Sequence, residues 1–459
     1  MTENDPKALG RAARKTRPRS SFAEWAPAAG RPDPVEVLQE QARDRVADLL
    51  PIRYGRMAAS AFAFYRGAAA VQAWDLAQDS NTGLEVQLCG DAHLSNFGGF
   101  AAPDRQLVFD LNDFDETLPG PFEWDVQRLA ASLEIAARSL GITSEKCGAV
   151  VRRAASSYRR AMAQFAGLTD LDLWSVRLDA DALEAWVGAE AKASVLAQLQ
   201  KNVAKAKTKD RFKALARLTE NVDGDLRFVS DPPLLVPAQE IFSDIRGDEL
   251  DATVQQLLGT YTETVSYRSR QLLDRYTYRH TARKVVGVGS VGTRCWVVLL
   301  TGRTDADPLF LQVKEANASV LEPYAGASEF TNHGQRVVAG QSLMQSAADP
   351  FLGWIGFDGP QGHHEFYLRQ LWDWKASAEI TTMNATTLGI YAEICGWTLA
   401  RAHACTGDRD ALTAYVGTSE TFDQGMAGYA SAYADQNDLD HAALVKAIAD
   451  GRVEARSDI

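Results

Sequence analysis

Asp91 and Asn96 stand five residues apart in Cys-Gly-Asp-Ala-His-Leu-Ser-Asn-Phe, residues 89–97. A carboxylate at the first position can orient and deprotonate an attacking hydroxyl. An amide oxygen at the second suits magnesium, a hard cation that takes oxygen ligands. This is the spacing of catalytic loops that move a phosphoryl group, although Asp and Asn also favour ordinary polar turns. A further acidic ligand is expected at a nearby strand end. The stretch 107–116, Leu-Val-Phe-Asp-Leu-Asn-Asp-Phe-Asp-Glu, offers several carboxylates. Asp110 ends the apolar run and is better spaced from Asn96. Asp113 is followed by Phe, as in an Asp-Phe-Gly metal site. Asp113 is favoured and Asp110 stays open.

Such chemistry also needs a phosphate cradle and a cation, and both lie far downstream. Residues 284–293, Lys-Val-Val-Gly-Val-Gly-Ser-Val-Gly-Thr, contain Gly287, Gly289, Ser290 and Gly292. Glycines let backbone N–H groups approach phosphate oxygens. The motif alone is weak, because it also marks dinucleotide-binding folds. Here Cys295-Trp-Val-Val-Leu-Leu follows, a strand where such a fold needs a helix, so a strand–loop–strand hairpin is expected. Lys314 then ends the apolar run Leu-Gln-Val and is placed to hold phosphates.

The elements that must position these groups fall into a helical, a β-rich and a second helical section. Residues 1–32, basic and without periodicity, are expected to form a flexible arm. A helix is expected from Asp33, with Glu36 in its capping box, and its apolar stripe runs until Pro51 stops it. Strands are expected over 84–88 and 107–111, a strong helix over 125–140, and a helix over about 248–275. Short strands are expected over 284–288, 294–300, 309–313 and 366–371, and helices over 386–448. This gives domains of 1–32, 33–275, 276–375 and 376–459. Asp435 to Asp440 reads as a helix start. Trp372 and Trp374 could stack on a base but more often such residues fill a core. His363 and His364 read as solvated turn residues, since adjacent histidines lack a zinc-type spacing.

The 459 residues carry a net charge of −12, which disfavours non-specific nucleic-acid binding. Arg53, Arg56 and Arg66 could meet an anion or pair with surface carboxylates. There is no apolar run long enough to span a membrane and no apolar signal core. Five scattered cysteines fit a reducing, cytoplasmic setting.

The chain resembles the bacterial family known as domain of unknown function 2252. The likeness runs through Pro51-Ile-Arg-Tyr-Gly-Arg-Met57, Gly90-Asp-Ala-His-Leu-Ser-Asn-Phe-Gly98, Asn112-Asp-Phe-Asp-Glu116, 283–292, 311–316, Tyr367-Leu-Arg-Gln370 and Ala402-His-Ala404. More distantly it resembles protein-kinase-like and aminoglycoside phosphotransferase-like proteins with the parts in rotated order. That resemblance implies an α+β, circularly permuted, two-lobed kinase-like fold, with a small antiparallel nucleotide lobe and a large helical lobe. It implies ATP and magnesium as cofactors and a hydroxyl acceptor, with Asp91 as base and Asn96 and Asp113 (or Asp110) on the metal. Lys314 and the 287–292 loop would hold phosphates and Gln370 would lie at the nucleotide hinge. His93 would pack under the loop, and Asp125 and Arg128 would support it. Gln341, Gln335 or Glu329 would brace Lys314, because the expected helix has no central Glu. Nucleotidyl transfer and a non-catalytic nucleotide sensor are the alternatives.

Overall fold

In the strand Cys295–Thr301, Val297 and Leu299 face one apolar cluster and Val298 and Leu300 another. Alternate side chains leave a strand on opposite faces, so this strand is buried on both and needs a layer on each side. The computed structural model, which describes residues 5–190, 192–359, 362–371 and 374–456, supplies both layers. The strand lies inside a six-stranded antiparallel sheet. Its order is Gly353–Gly359, Gly362–Gln370, Pro308–Glu315, Cys295–Thr301, Thr277–Lys284 and Leu235–Pro237. Tyr261 and Val265, at and just beyond the end of the helix Gly247–Thr262, cover one face. Ala214 and Leu218 of the helix Arg211–Leu218, with Phe228, cover the other.

The larger half is helical. Phe122–Ser139 is its central helix, buried along nearly its whole length. Ser144–Phe165, Ala385–Ala404 and Thr421–Ala449 surround it. Ala385–Ala404 and Ser144–Phe165 pack extensively on each other. There Gly396 leaves room for the carbonyl of Ala154, with which any Cβ would collide. Small antiparallel sheets lie where the halves meet. Phe97–Ala101 pairs with Leu107–Leu111, and Glu85–Leu88 pairs with Leu118–Pro121. The fold is α+β with antiparallel sheets, and among the described residues no helix is long and apolar enough to cross a membrane.

Several expectations are corrected. The N-terminal arm is folded: Pro6–Thr16 is a helix against Arg409–Val416, with Gly10 and Ala13 buried. Its arginines are used as ties. Arg14 donates to the carbonyls of Ala414 and Tyr415, and Arg19 donates to that of Val416. The helix begun at Asp33 ends at Gln41, and Pro51 sits in the first turn of the next α-helix, Leu50–Ala58, instead of stopping one. Proline has no N–H to lose in a first turn. The region 248–275 breaks at Ser266, which caps a second helix, Tyr267–Leu273. Asp435 to Asp440 lies inside Thr421–Ala449, not at a helix start. The strand expected over 284–288 lies earlier, at Thr277–Lys284, and 285–294 is the loop. Segments from Arg211 onward pack on the six-stranded sheet, so the sheet half begins well before residue 276. Amphipathic helices announce a buried face but not the partner that buries it.

Arg31 closes the arm onto the helical half. Its guanidinium meets Asp75 and Asp440, both at 2.7 Å and both nearly fully buried. Removing one member of such a cluster leaves unpaired buried charge, typically about 3–5 kcal/mol. Arg31→Ala is expected to lower the unfolding free energy by about that amount in denaturant melts. A loss below about 1 kcal/mol, the level of an exposed ion pair, would show that the arm is not held this way.

Candidate functional site

The loop 89–97 is fixed from behind. Gly90 has φ +83°, and a Cβ there would collide with the carbonyl oxygen of Glu116. Asp125, in the first turn of Phe122–Ser139, accepts hydrogen bonds from the N–H groups of Cys89 (2.7 Å) and Gly90 (3.0 Å). His403 Nε2 lies 3.2 Å from Asp125 Oδ2, and Tyr158 Oη lies 3.0 Å from His403 Nδ1. All three side chains are buried, so Asp125 can support the loop but cannot reach a ligand.

Arg128, one helical turn further, donates from Nε to Asp91 Oδ1 at 2.8 Å. It is itself held by Gln72 and the carbonyl of Tyr65. Burial pushes the Asp91 carboxyl up, to about 7, against the opposing pull of Arg128. Asn96 donates from Nδ2 to the carbonyl of Asp91 at 2.8 Å, which leaves Oδ1 as its free acceptor. His93 accepts from Ser95 N–H through Nδ1. Burial holds the imidazole well below its ordinary value, so it is neutral and carries its proton on Nε2, 3.9 Å from Asp91 Oδ2.

Lys314, 2% exposed, reaches across from the sheet to the acidic stretch. Its Nζ contacts Asp115 and lies 3.4 Å from Asp113 Oδ1. Tyr367 donates to Asp115 at 2.8 Å. Burial alone would raise Asp113, but Lys314 and Arg369 overcome it and hold the carboxyl at about 2. Asp110 is elsewhere. It is 1% exposed and accepts from Leu111 N–H, Ser346 N–H and Ser346 Oγ. Of the two carboxylates left open in the sequence, Asp110 is enclosed within the strand Leu107–Leu111, whereas Asp113, two residues beyond its end, faces the cleft.

The glycine loop joins antiparallel strands Thr277–Lys284 and Cys295–Thr301. Its carbonyls are tied down: Gly287 O accepts from Arg56, Gly289 O and Val291 O from Arg45, and Gly292 O from Val46 N–H. Gly287 has φ +69° and Gly292 +91°. Two cavities of about 590 Å³ each open beneath the loop. Asn96, Asp113, Arg66, Gly287 and Ser290 line both. Asp91 and His93 face one, and Lys314, Gln341 and Gln370 face the other.

The profile of DUF2252, described as an uncharacterized protein conserved in bacteria, matches residues 45–447. The chain belongs to this family. Among curated proteins and among solved structures, none matches it. The family match spans the loop, the acidic stretch, the glycine loop and Lys314 alike, and begins at Arg45, the residue that holds two carbonyls of the glycine loop.

Other expected partners are placed differently. Gln341 donates to Gln345 and does not touch Lys314, and Glu329 is exposed. The helix His333–Met344 instead turns Arg336 inward, onto the carbonyls of Asp115, Thr117 and Asn317. It braces the acidic stretch, and that stretch holds the lysine. The N–H of Gln370 is taken by Asp349. Trp372 lies outside the described residues, and the Trp374 ring is covered by Arg105 at 4.4 Å. His364 is half-buried against Glu315 rather than solvated. Sequence reading missed Asp115 as the contact of Lys314; two further carboxylates beside Asp113 were the available signal.

Asp113 sits below its unfolded value of about 3.9, so it contributes stability above that pH and loses it as the pH falls through about 2. Lys314→Met removes the main cause. The stability difference between wild type and this variant is expected to be largest above about pH 4 and to shrink toward about pH 2 in urea melts. A difference independent of pH would refute the coupling.

Proposed function

We propose that this protein is an ATP-dependent phosphotransferase with a circularly permuted, kinase-like arrangement of parts. One observation carries the reading. Asp91, Asn96, Asp113, Lys314 and the glycine loop, scattered over more than two hundred residues, line two cavities that share a wall. Permutation accounts for their order. The segment just after the helix Ala385–Ala404 meets the strand that leads into the loop: Thr406 Oγ1 accepts from Gln87 N–H at 3.1 Å. The helix end and the loop are thus neighbours in space, as they would be if the chain ran directly from one into the other.

Asp91, on one cavity, takes the proton of the acceptor hydroxyl while the hydroxyl oxygen bonds to the terminal phosphorus. The bond from that phosphorus to its bridging oxygen breaks and ADP leaves. Lys314, Arg369 and the glycine loop at Gly287 and Ser290 hold the phosphates on the other cavity. Among the described residues no group of three or more His, Cys, Asp or Glu forms a metal cage. Magnesium needs only one or two protein oxygens when phosphate supplies others, so Asn96 and Asp113 fit it together with nucleotide. Bound there, the ion would neutralise phosphate charge.

Calorimetric titration with ATP is expected to show binding that requires magnesium and is lost in Asp113→Ala. Lys314→Ala should weaken it by at least about tenfold, the loss of one charge-assisted contact. Absence of binding at millimolar ATP to wild type would sink the reading. Since a base must be deprotonated, kcat/KM should rise with pH up to about 7, the value to which burial lifts Asp91. Asp91→Asn should abolish that limb together with turnover. A second reading, nucleotide sensing without catalysis, draws on Lys314 being paired with Asp113 and Asp115 instead of a helix carboxylate. ADP release supports transfer, pyrophosphate release supports nucleotidyl transfer, and binding with neither supports the sensor.

A further inference from the structure

Among the described residues, Arg66 is the only Lys or Arg that lines both cavities. It stands with Asn96 and Asp113 on the wall that a transferred group must pass. Its guanidinium is half-buried, has no hydrogen bond or ion pair among the described residues, and keeps Nε buried without a partner. Neighbouring cations are engaged. Lys314 meets Asp113 and Asp115, and Arg128 meets Asp91. Arg369 donates to Gln312 and to the carbonyl of Asn112, and Arg45 donates to two carbonyls of the glycine loop. Arg105, Arg211 and Lys375 line the Lys314-side cavity alone. Burial opposes the charge on Arg66, and Asp91 and Asp113 favour it without pairing with it. After burial, Arg66 is the largest influence that keeps His93 neutral. A half-buried guanidinium without an acceptor has lost water and gained no partner, so the position suits an anion that arrives with the substrate.

The backbone at Arg66 is fixed relative to both the loop 89–97 and the glycine loop. Arg66 lies in the last turn of the helix Ala61–Gly67, which Ser60 caps by accepting from Ala63 N–H. The preceding residue, Tyr65, is buried, and its hydroxyl donates to the carbonyl of Arg128. Arg128 donates back to the carbonyl of Tyr65, and its guanidinium lies 3.9 Å from the centre of the Tyr65 ring. The arginine that holds Asp91 thus also locks the residue before Arg66. On the other side the carbonyl oxygen of Arg66 packs on the glycine loop, so closely that a Cβ at Gly289 would lie 3.0 Å from it.

We infer that Arg66 is a catalytic residue that donates to the non-bridging oxygens of the phosphoryl group as it passes from nucleotide to acceptor. This rests on the phosphotransferase reading. In that step the bond from phosphorus to the bridging oxygen breaks, and its electron pair leaves with ADP. The acceptor oxygen bonds to phosphorus, and its proton goes to Asp91. Arg66 exchanges no proton. In-line transfer spreads negative charge over the equatorial oxygens, and a planar fork of donors suits them. Donors aimed at charge that is fully developed only during transfer raise turnover more than they tighten binding of the nucleotide.

The test needs no acceptor. The full chain, as wild type, Arg66→Ala and Arg66→Lys, is titrated with magnesium and ADP, alone and with aluminium fluoride, which mimics a phosphoryl group in transfer. Wild type is expected to bind ADP at least about tenfold more tightly with the fluoride. Arg66→Ala should lose that enhancement and bind ADP alone within about threefold of wild type. Added guanidinium ion should restore part of the enhancement to Arg66→Ala, a rescue that a merely structural role would not give. Arg66→Lys should recover only part, because an ammonium keeps the charge without the fork. Thermal melts check that each variant is folded; if Arg66→Ala is not, Arg66→Lys carries the test, and full enhancement there overturns the role. An enhancement that survives in folded Arg66→Ala overturns the role of Arg66 and leaves the phosphotransferase reading standing. Loss of ADP binding in both folded variants makes Arg66 an ordinary nucleotide contact and overturns the role as well. A wild type that binds ADP with no enhancement, or binds no nucleotide, sinks phosphoryl transfer and the role of Arg66 together.

Discussion

A buried ammonium ion must be paired, and Lys314 finds its pairs only across the boundary between the two halves of the protein. It belongs to the strand Pro308–Glu315, in the middle of the six-stranded sheet. Asp113 and Asp115 belong to the acidic stretch that follows Leu107–Leu111. The sheet cannot move away from the helical half without stranding a charge in a poorly solvated place, which is costly. Other contacts reinforce the same seam. Arg369 donates to the carbonyl of Asn112, Tyr367 to Asp115, and Arg336 to the carbonyls of Asp115 and Thr117. The acidic stretch is therefore gripped from the sheet side by four side chains.

The helical half fixes the loop by a different device. Asp125 gathers two loop N–H groups, and His403 and Tyr158 hold Asp125 in turn. The chain closes over itself here, since Asp125 and His403 are 278 residues apart in the sequence. A web of buried, mutually satisfied polar groups has few alternative arrangements, and this one leaves only the cleft-facing atoms of Asp91, His93 and Asn96 available. Rigidity behind and open valences in front is what a positioning site requires. The glycine loop is fixed as well: Arg45 and Arg56 take its carbonyls, and its Gly287 and Ser290 line both cavities.

Much of the site is legible in the chain. Asp91 and Asn96 share a short loop, so their spacing speaks for itself. The strand after the glycines excludes a helix there, and the hairpin results. The partner of Lys314 was not legible, because nothing in a linear pattern says that a helix will turn Arg336 inward and send the lysine to the acidic stretch. Arg66, which lines both cavities, looked like one of several arginines in an aromatic-rich segment. The N-terminal arm looked disordered because it is basic and its few apolar residues follow no periodicity. It is held by Phe22 and Trp25, which are buried against Phe422, Tyr429 and Tyr433, and by arginine-to-carbonyl contacts, neither of which composition reveals.

What the sequence determined by itself is local: short-range geometry, turn chemistry at glycine, apolar alternation along strands, and membership of one bacterial family. These depend on neighbours within a few positions. Tertiary structure decided which carboxylate faces the cleft, which group balances Lys314, and that two cavities meet at Asn96 and Asp113. Each of those depends on the direction in which a side chain leaves its element and on what lies opposite. Electrostatic character is a sum over residues brought together from all parts of the chain. A net charge of −12 says nothing about which charges are brought together.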